Sequence, residues 1–299
     1  MKKCKYKPLA MINMNPGTVS KILWHFTGGP LWDSKLNKQE SIPKPMTQGF
    51  DILIKILESS SLKLSNYSEL IKVLIPELIV WNKQTRKREK KFNIEKTIKS
   101  SPVCCLADIP IQHLEFHSTR YGKFAIGFHR ESAIRNSFNP VFYSLHNSPI
   151  MNSIYSGFSV IQSTDTYYIK SELDSIDTLL EDAQNELDEL EADTDHIDLD
   201  GWYVKSNIES QIDDVESAID ETRESLKNFV SFVKTFNNDE FGSIYCEREW
   251  RSIHKYDFDF SDIAMIVLPK EGGFYHELIN LKILPDNIPI VPWEDLIEH

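Results

Sequence analysis

The chain has 299 residues, of which 41% are hydrophobic and 26% charged, and its formal net charge is −12. This composition is typical of a folded globular protein and excludes wholesale disorder, while every apolar run is too short for a membrane span. Four cysteines are too few and too irregularly spaced for a disulfide framework. We therefore expect a cytoplasmic protein with reduced thiols and no membrane partner.

The first part of the chain alternates short apolar strands with amphipathic helices. Apolar and aromatic runs bounded by turn residues predict strands at 23–27, 62–65, 103–106, 123–129 and 140–144. Helical spacing of apolar residues predicts helices at 50–59 and 111–117. This alternation is typical of an α+β fold.

A basic run interrupts this part of the chain. It extends from Lys83 to Lys91 and reads KQTRKREKK. Such a run favours a solvated helix face or loop, and it also has the charge needed to contact nucleic-acid phosphates. Nucleic acid is therefore a candidate partner.

A strongly acidic segment follows. Between Glu172 and Glu224 there are 20 acidic and two basic residues, a local net charge of −18 that leaves +6 for the remainder. Two heptad-like series extend across this segment and slightly beyond it, the first from Ile169 to Leu190 and the second from Val204 to Val233, and an Asp-rich break closed by Gly201 separates them. Two narrow apolar stripes of similar length predict an antiparallel helical (coiled-coil) hairpin, suited to homodimer formation or partner docking.

Strand signals resume after the acidic segment. The patterns at 243–254 and 263–269 predict strands, and a helix is predicted at 274–281 after a glycine pair. These strands and the earlier ones are too few to form separate sheets. We therefore expect one α+β body with a small mixed or antiparallel sheet, built from residues 1–164 and 237–299, with the hairpin inserted at 165–236.

Three clusters carry side chains suited to chemistry. Strand alternation at YCEREWR places Glu247, Glu249 and Arg251 on one face, where Arg251 either pairs with Glu249 or helps to form a site. In the first strand, His25 and Thr27 share a face. The third cluster contains Cys104, Cys105, His113 and His117, but HLEFH is not a zinc motif and adjacent cysteines point to opposite sides of a strand, so we expect no metal site. In that cluster Asp108 is expected to cap the helix that Pro110 opens.

These residues together resemble a known family. The segments HFT, a Cys-containing DIP motif, YG, NPVFY and EREWR occur in this order, and the pattern is similar to that of the AbiGi family of abortive phage-resistance proteins. The resemblance implies a role in defence against phage, as the antitoxin partner of a nucleotidyltransferase-like toxin. The acidic hairpin lies where the resemblance gives no guidance.

More distantly, the order of His25, Tyr67 and Glu249 resembles that of the ADP-ribosyltransferases. That resemblance implies an NAD-using effector in which Glu249, or Glu247, stabilises the positive charge that builds on the ribose. His25 and Thr27 would hold the adenosine ribose and Tyr67 would stack on nicotinamide, with Arg251 and Tyr121 as further cofactor contacts.

The alternative belongs to another functional class. A non-enzymatic antitoxin or sensor would bind a nucleotidyltransferase-like toxin or a phage component through the body or the hairpin. The two hypotheses differ in one structural requirement, since the enzyme needs Glu247 or Glu249 to line a cleft together with His25.

Overall fold

The computed structural model describes residues 20–33, 38–65, 68–82, 84–163, 198–240 and 247–296, with isolated helical positions between 170 and 185. The strands in chain order are β1 (Ile22–Phe26), β2 (Pro30–Asp33), β3 (Lys38–Pro43), β4 (Ser61–Leu62), β5 (Leu70–Asn82), β6 (Lys87–Lys99), β7 (Cys104–Ala107), β8 (Ala125–His129), β9 (Asn139–Pro140), β10 (Phe142–Leu145), β11 (Val233–Phe236), β12 (Glu249–Ser252), β13 (Tyr256–Asp257), β14 (Ile263–Leu268) and β15 (Ile290–Pro292). The helices are α1 (Met46–Ser59), α2 (Leu114–Tyr121), α3 (Arg130–Arg135), α4 (Pro149–Ser163), α5 (Asp198–Ser231) and α6 (Phe274–Leu281). The predicted α+β class is confirmed.

The chain divides into two compact units. Unit 1 comprises the described residues of 20–68, 102–143 and 236–296, and unit 2 comprises those of 69–101 and 144–235. Unit 1 is built on a seven-stranded sheet in the order β15-β14-β8-β1-β7-β12-β9. Neighbouring strands are antiparallel except β14 and β15, which run parallel. The sheet is therefore mixed, as expected.

Each face of this sheet buries its own apolar cluster. On one face, Leu23, Leu106 and Ile126 pack with Phe50 and Leu53 of α1, and we call this the α1 face. Side chains alternate along each strand, so the neighbouring residues point to the opposite side. There a second cluster forms on what we call the α2 face, joining Trp24, Ala125 and Val267 to Leu114 of α2 and to Trp293.

Unit 2 contains a long two-stranded ribbon that the sequence analysis did not predict. Strands β5 and β6 have 13 residues each and pair in one continuous register from Leu70 with Lys99 to Asn82 with Lys87. The prediction of a helix face or loop for the basic run is therefore wrong for Lys87 to Lys91, which form the start of β6. Charged residues occupy most of the exposed positions of β6, so its sequence does not show the regular apolar alternation that predicts a strand.

The second predicted helix of the hairpin is present as α5, but it begins at Asp198, so the prediction that the Asp-rich break extends to Gly201 is wrong. Much of the first predicted helix falls outside the described residues. At one described position beside it, Lys170 Nζ lies 3.1 Å from Asp213 and 2.7 Å from Glu216 of α5. Near the end of the acidic segment, Val230 and Val233 pack with Ile71 of β5 in a buried cluster. Whether residues 165–236 form a separable insertion stays a prediction.

Candidate functional site

His25 lies in β1, and Thr27 directly follows that strand. The Nδ1–H of His25 donates to the carbonyl of Cys105 at 3.1 Å, and the half-buried ring loses hydration. This desolvation lowers the pKa of His25; the hydrogen bond to Cys105 opposes the shift and the positive charge of Lys44 adds to it, so the neutral form is favoured. Thr27 is 3% exposed and donates its hydroxyl hydrogen to the carbonyl of Gly49 at 2.7 Å. Both side chains thus have partners within the fold.

Strand β12 carries the predicted carboxylate Glu249 next to a buried cation. Arg251 is completely buried and donates to Glu249 twice, from Nε to Oε1 at 3.1 Å and from Nη2 to Oε2 at 2.9 Å. The Glu249 side chain is 11% exposed, so this is a largely buried ion pair and not a pair on an exposed sheet surface. The sequence analysis offered this pairing as one of two alternatives, and it placed the pair on a sheet surface.

The register of the sheet separates His25 from Glu249. Both Trp24 of β1 and Glu249 of β12 pair with Ala107 of β7. Paired residues share a face and adjacent residues alternate, so Glu249 lies on the same face as Trp24 and His25 lies on the opposite face. The structure does not bring His25 and Glu249 into one cleft. Tyr67, the third residue of the proposed NAD site, lies outside the described residues.

The second carboxylate, Glu247, is held by α2. It is 6% exposed, and its Oε1 accepts the Tyr121 hydroxyl at 2.7 Å and Arg120 Nη1 at 3.1 Å. Regular alternation between Glu247 and Glu249 fails because Arg248 adopts a positive φ of 42°. Residue 247 is therefore outside the strand and contacts α2, whereas Glu249 begins β12.

An imidazole completes the surroundings of Glu247. The ring of His117 stacks on that of Tyr121, with centroids 6.5 Å apart and planes 20° apart. Burial lowers the pKa of His117, the nearby charge of Glu247 opposes this shift, and His113 adds to it. The group of Glu247, Tyr121, Arg120 and His117 thus places a buried carboxylate beside a phenol and an imidazole.

Sequence reasoning missed a second ion-pair cluster around Asp108. This carboxylate is 6% exposed and accepts from Arg248 Nη2 at 3.1 Å and from Arg130 Nη2 at 3.3 Å. In addition, the Asp108 N–H donates to the carbonyl of Arg248 at 3.0 Å. Asp108 is therefore not the helix cap that was expected, since Pro110 occupies the cap position and α2 begins later. The available signal was that Asp108 and Arg248 belong to the DIP and EREWR motifs, two of the segments that carry the family resemblance.

These contacts determine what the cluster can do chemically. Asp108 and Glu247 each face a guanidinium, and Arg248, which directly follows Glu247 in the sequence, holds a left-handed backbone conformation. The ion pairs therefore anchor the 247–249 segment to β7 and α2, a positional role for which buried ion pairs are suited. Nearby, burial raises the pKa of the Cys104 thiol to about 12, so this thiol is protonated and weakly nucleophilic at neutral pH.

In the described part of the chain, no three His, Cys, Asp or Glu side chains come together as a metal-binding group. No helix in the same residues is long and apolar enough to cross a membrane.

Comparisons with known proteins place the chain in a family. The family described as "Putative abortive phage resistance protein AbiGi, antitoxin" matches residues 68–292, a range that contains Asp108, Glu247 and Arg251 but not His25. An abortive phage resistance protein AbiGi of Lactococcus lactis subsp. cremoris is 33% identical over 67 residues, which cover 21% of this chain and 27% of that relative. No solved structure matches significantly. Because the family match extends over more than half of its length, the chain belongs to the AbiGi family.

Proposed function

We propose that this chain acts as an antitoxin in abortive infection and that it works by binding a protein partner. The family description supports an antitoxin role. The observation that carries the choice of binding over catalysis is the placement of His25 and Glu249 on opposite faces of the sheet. An ADP-ribosyltransferase must present its carboxylate and its ribose-holding residues to one bound NAD, and this arrangement separates them.

The charges of the two candidate carboxylates support the same proposal. Glu249 pairs with buried Arg251, and Glu247 accepts from Tyr121 and Arg120. A carboxylate that already neutralises a guanidinium offers less electrostatic stabilisation to a developing cation. These groups therefore serve the stability of the sheet better than they would serve cleavage of a nicotinamide–ribose bond.

The proposed partner is a nucleotidyltransferase-like toxin, and the proposed contact surface is the acidic side of α5. Exposed carboxylates along this helix include Asp214 and Glu221. A protein that handles nucleotides or nucleic acid presents basic surface, so an acidic helix is complementary to it and would speed association.

The test is co-expression of the full chain with its neighbouring gene product, followed by measurements of growth, co-purification and NAD. We expect the chain to restore growth, to co-purify with the toxin and to leave NAD intact. The variant Asp214→Lys/Glu221→Lys should reduce co-purification at least about tenfold, since it reverses two charges at the proposed contact. A matched control is Glu58→Lys/Asp286→Lys, which reverses two exposed charges in unit 1.

Three outcomes would overturn the proposal. NAD consumption by the purified chain would establish an enzyme, and toxicity of the chain expressed alone would establish an effector. Equal co-purification of the α5 variant and its unit 1 control would remove the proposed contact surface.

A further inference from the structure

The outer half of the β5–β6 ribbon is an exposed surface for which the proposed function has no use. At the inner end, Ile71, Val73 and Ile98 are at most 1% exposed and pack in the core of unit 2. Beyond the pair of Ile75 with Ile94, the two strands stay paired to Asn82 and Lys87, and most of the side chains described there are exposed. Among the described residues, neither β5 nor β6 pairs with a third strand.

One face of the outer ribbon combines an exposed aromatic ring with cations. Glu77 pairs with Phe92 and Ile79 pairs with Lys90, and Arg88 follows at the next alternate position of β6. Paired and alternate residues share a face, so these side chains form one surface, which we call the Phe92 face. Phe92 is 60% exposed and Ile79 is 58% exposed.

The charge of this region is opposite to that of the whole chain. From Arg86 to Lys99 there are seven basic residues and two acidic ones, in a chain whose net charge is −12. On the Phe92 face itself, Arg88 is exposed, and Lys90 Nζ lies 2.6 Å from Glu77 Oε1. An exposed pair of this kind is weak, so Lys90 can exchange its carboxylate partner for a phosphate.

We propose that the Phe92 face binds single-stranded nucleic acid. Phe92 stacks on one base, while Arg88 and Lys90 contact phosphates along the same strand. Stacking of unpaired bases on an aromatic residue of a β-sheet, with cations tracking the backbone, is a general mode of single-strand recognition. The outer six residues of β6 span about 20 Å, which is enough for a few nucleotides.

Single strands suit this surface better than the other polyanions. A duplex keeps its bases stacked inside, so it would use the cations and leave the ring of Phe92 without a base. An acidic peptide would likewise satisfy the charges but has no flat base to place on the ring. The exposed aromatic ring is therefore the feature that selects the ligand.

The test measures fluorescence anisotropy of labelled 12-nucleotide single-stranded RNA and DNA with the full chain, together with the matching duplexes. We expect single strands to bind at 50 mM salt and the logarithm of affinity to fall with the logarithm of salt with a slope of about −1.4, for two phosphate contacts. Phe92→Ala should weaken binding about tenfold or more and leave the slope unchanged. Arg88→Gln/Lys90→Gln should weaken binding and bring the slope close to zero.

Matched controls come from exposed positions in unit 1. Phe116 is 63% exposed, so Phe116→Ala controls for the loss of a surface aromatic ring. Lys55 and Lys63 are exposed, so Lys55→Gln/Lys63→Gln controls for the loss of two positive charges. Because all substituted side chains are exposed, each variant should retain the melting temperature of the parent chain, which a thermal melt verifies.

Several results would overturn the inference. One is an absence of single-strand binding at 50 mM salt, and another is equal weakening by the ribbon variants and their controls. Duplexes that bind as tightly as single strands, with no effect of Phe92→Ala, would indicate general attraction of phosphates. Displacement of the oligonucleotide by polyglutamate of equal charge and at equal concentration would indicate an acidic protein ligand.

Discussion

Arg251 is completely buried in β12 and donates two hydrogen bonds to Glu249, the residue two positions before it in the same strand. This ion pair lies on the α2 face of the sheet. Removing one partner leaves the other charge in a medium that solvates it poorly, so the pair is much more costly to break than to replace as a whole.

Glu249→Gln should therefore destabilise the fold by about 3–5 kcal/mol, because the guanidinium of Arg251 loses its carboxylate. Urea denaturation followed by circular dichroism measures this loss. Glu249→Gln/Arg251→Met should recover part of the loss, since it also removes the buried cation. A loss of 1 kcal/mol or less for the single variant would contradict the buried pair. For the same reason this variant cannot serve as a test of catalysis, and NAD must be measured with the parent chain.

His25 gives unit 1 a pH dependence with a definite sign. Burial lowers its pKa in the folded chain, whereas in the unfolded chain the pKa stays at about 6.5. The unfolded state thus binds the proton more readily, and the contribution of His25 to stability is lost as pH falls from the unfolded pKa through the lower folded one.

We therefore expect the free energy of unfolding to fall more steeply between pH 7 and pH 5 in the parent than in His25→Asn, which keeps an N–H donor for the Cys105 carbonyl. Urea denaturation at several pH values measures both slopes. His276→Asn, at an exposed position of α6, controls for the loss of an imidazole. Equal slopes in the parent and in His25→Asn would count against this account.

Gly127 is required by the packing of β1 against β8. A Cβ atom at this position would lie 2.7 Å from Ile22 Cγ2 and 2.9 Å from Trp24 Cζ3. Gly127→Ala should therefore lower the stability by about 1–3 kcal/mol through overpacking. In the exposed helix position Gly157, an added Cβ meets no atom within 4 Å, so Gly157→Ala should raise stability by up to about 1 kcal/mol. Thermal melts of both variants test the contrast, and equal shifts would refute it.

Self-association through the acidic helix remains a prediction, and the exposed part of the α5 stripe allows a sharp test. Ile212 is 8% exposed, whereas Val215, the next residue of the predicted seam, is 52% exposed. If a second copy covers this stripe, Val215→Asp should convert the dimer to the monomer mass in light scattering. Ser217→Asp adds the same charge at an exposed position of the same helix and should leave the mass unchanged. A monomeric parent would exclude the dimer.

The amino-acid sequence by itself determined the elements whose signals are local. Apolar alternation predicted β1, β8 and β14, and helical spacing predicted α1, α5 and α6, because these periodicities reflect which residues of one segment face the core. The sequence also placed Glu249 and Arg251 on one face, since residues two apart in a strand share a face, but it left open whether they pair or form a site.

Only the tertiary structure decided which side of the sheet each candidate residue occupies. That outcome depends on β7 lying between β1 and β12 and on both Trp24 and Glu249 pairing with Ala107, and no local pattern specifies such long-range registers. The positive φ of Arg248 and its contact with Asp108, 140 residues earlier, are equally non-local. The basic ribbon escaped prediction for a related reason: β6 is stabilised by pairing with β5, while its own sequence is mostly charged.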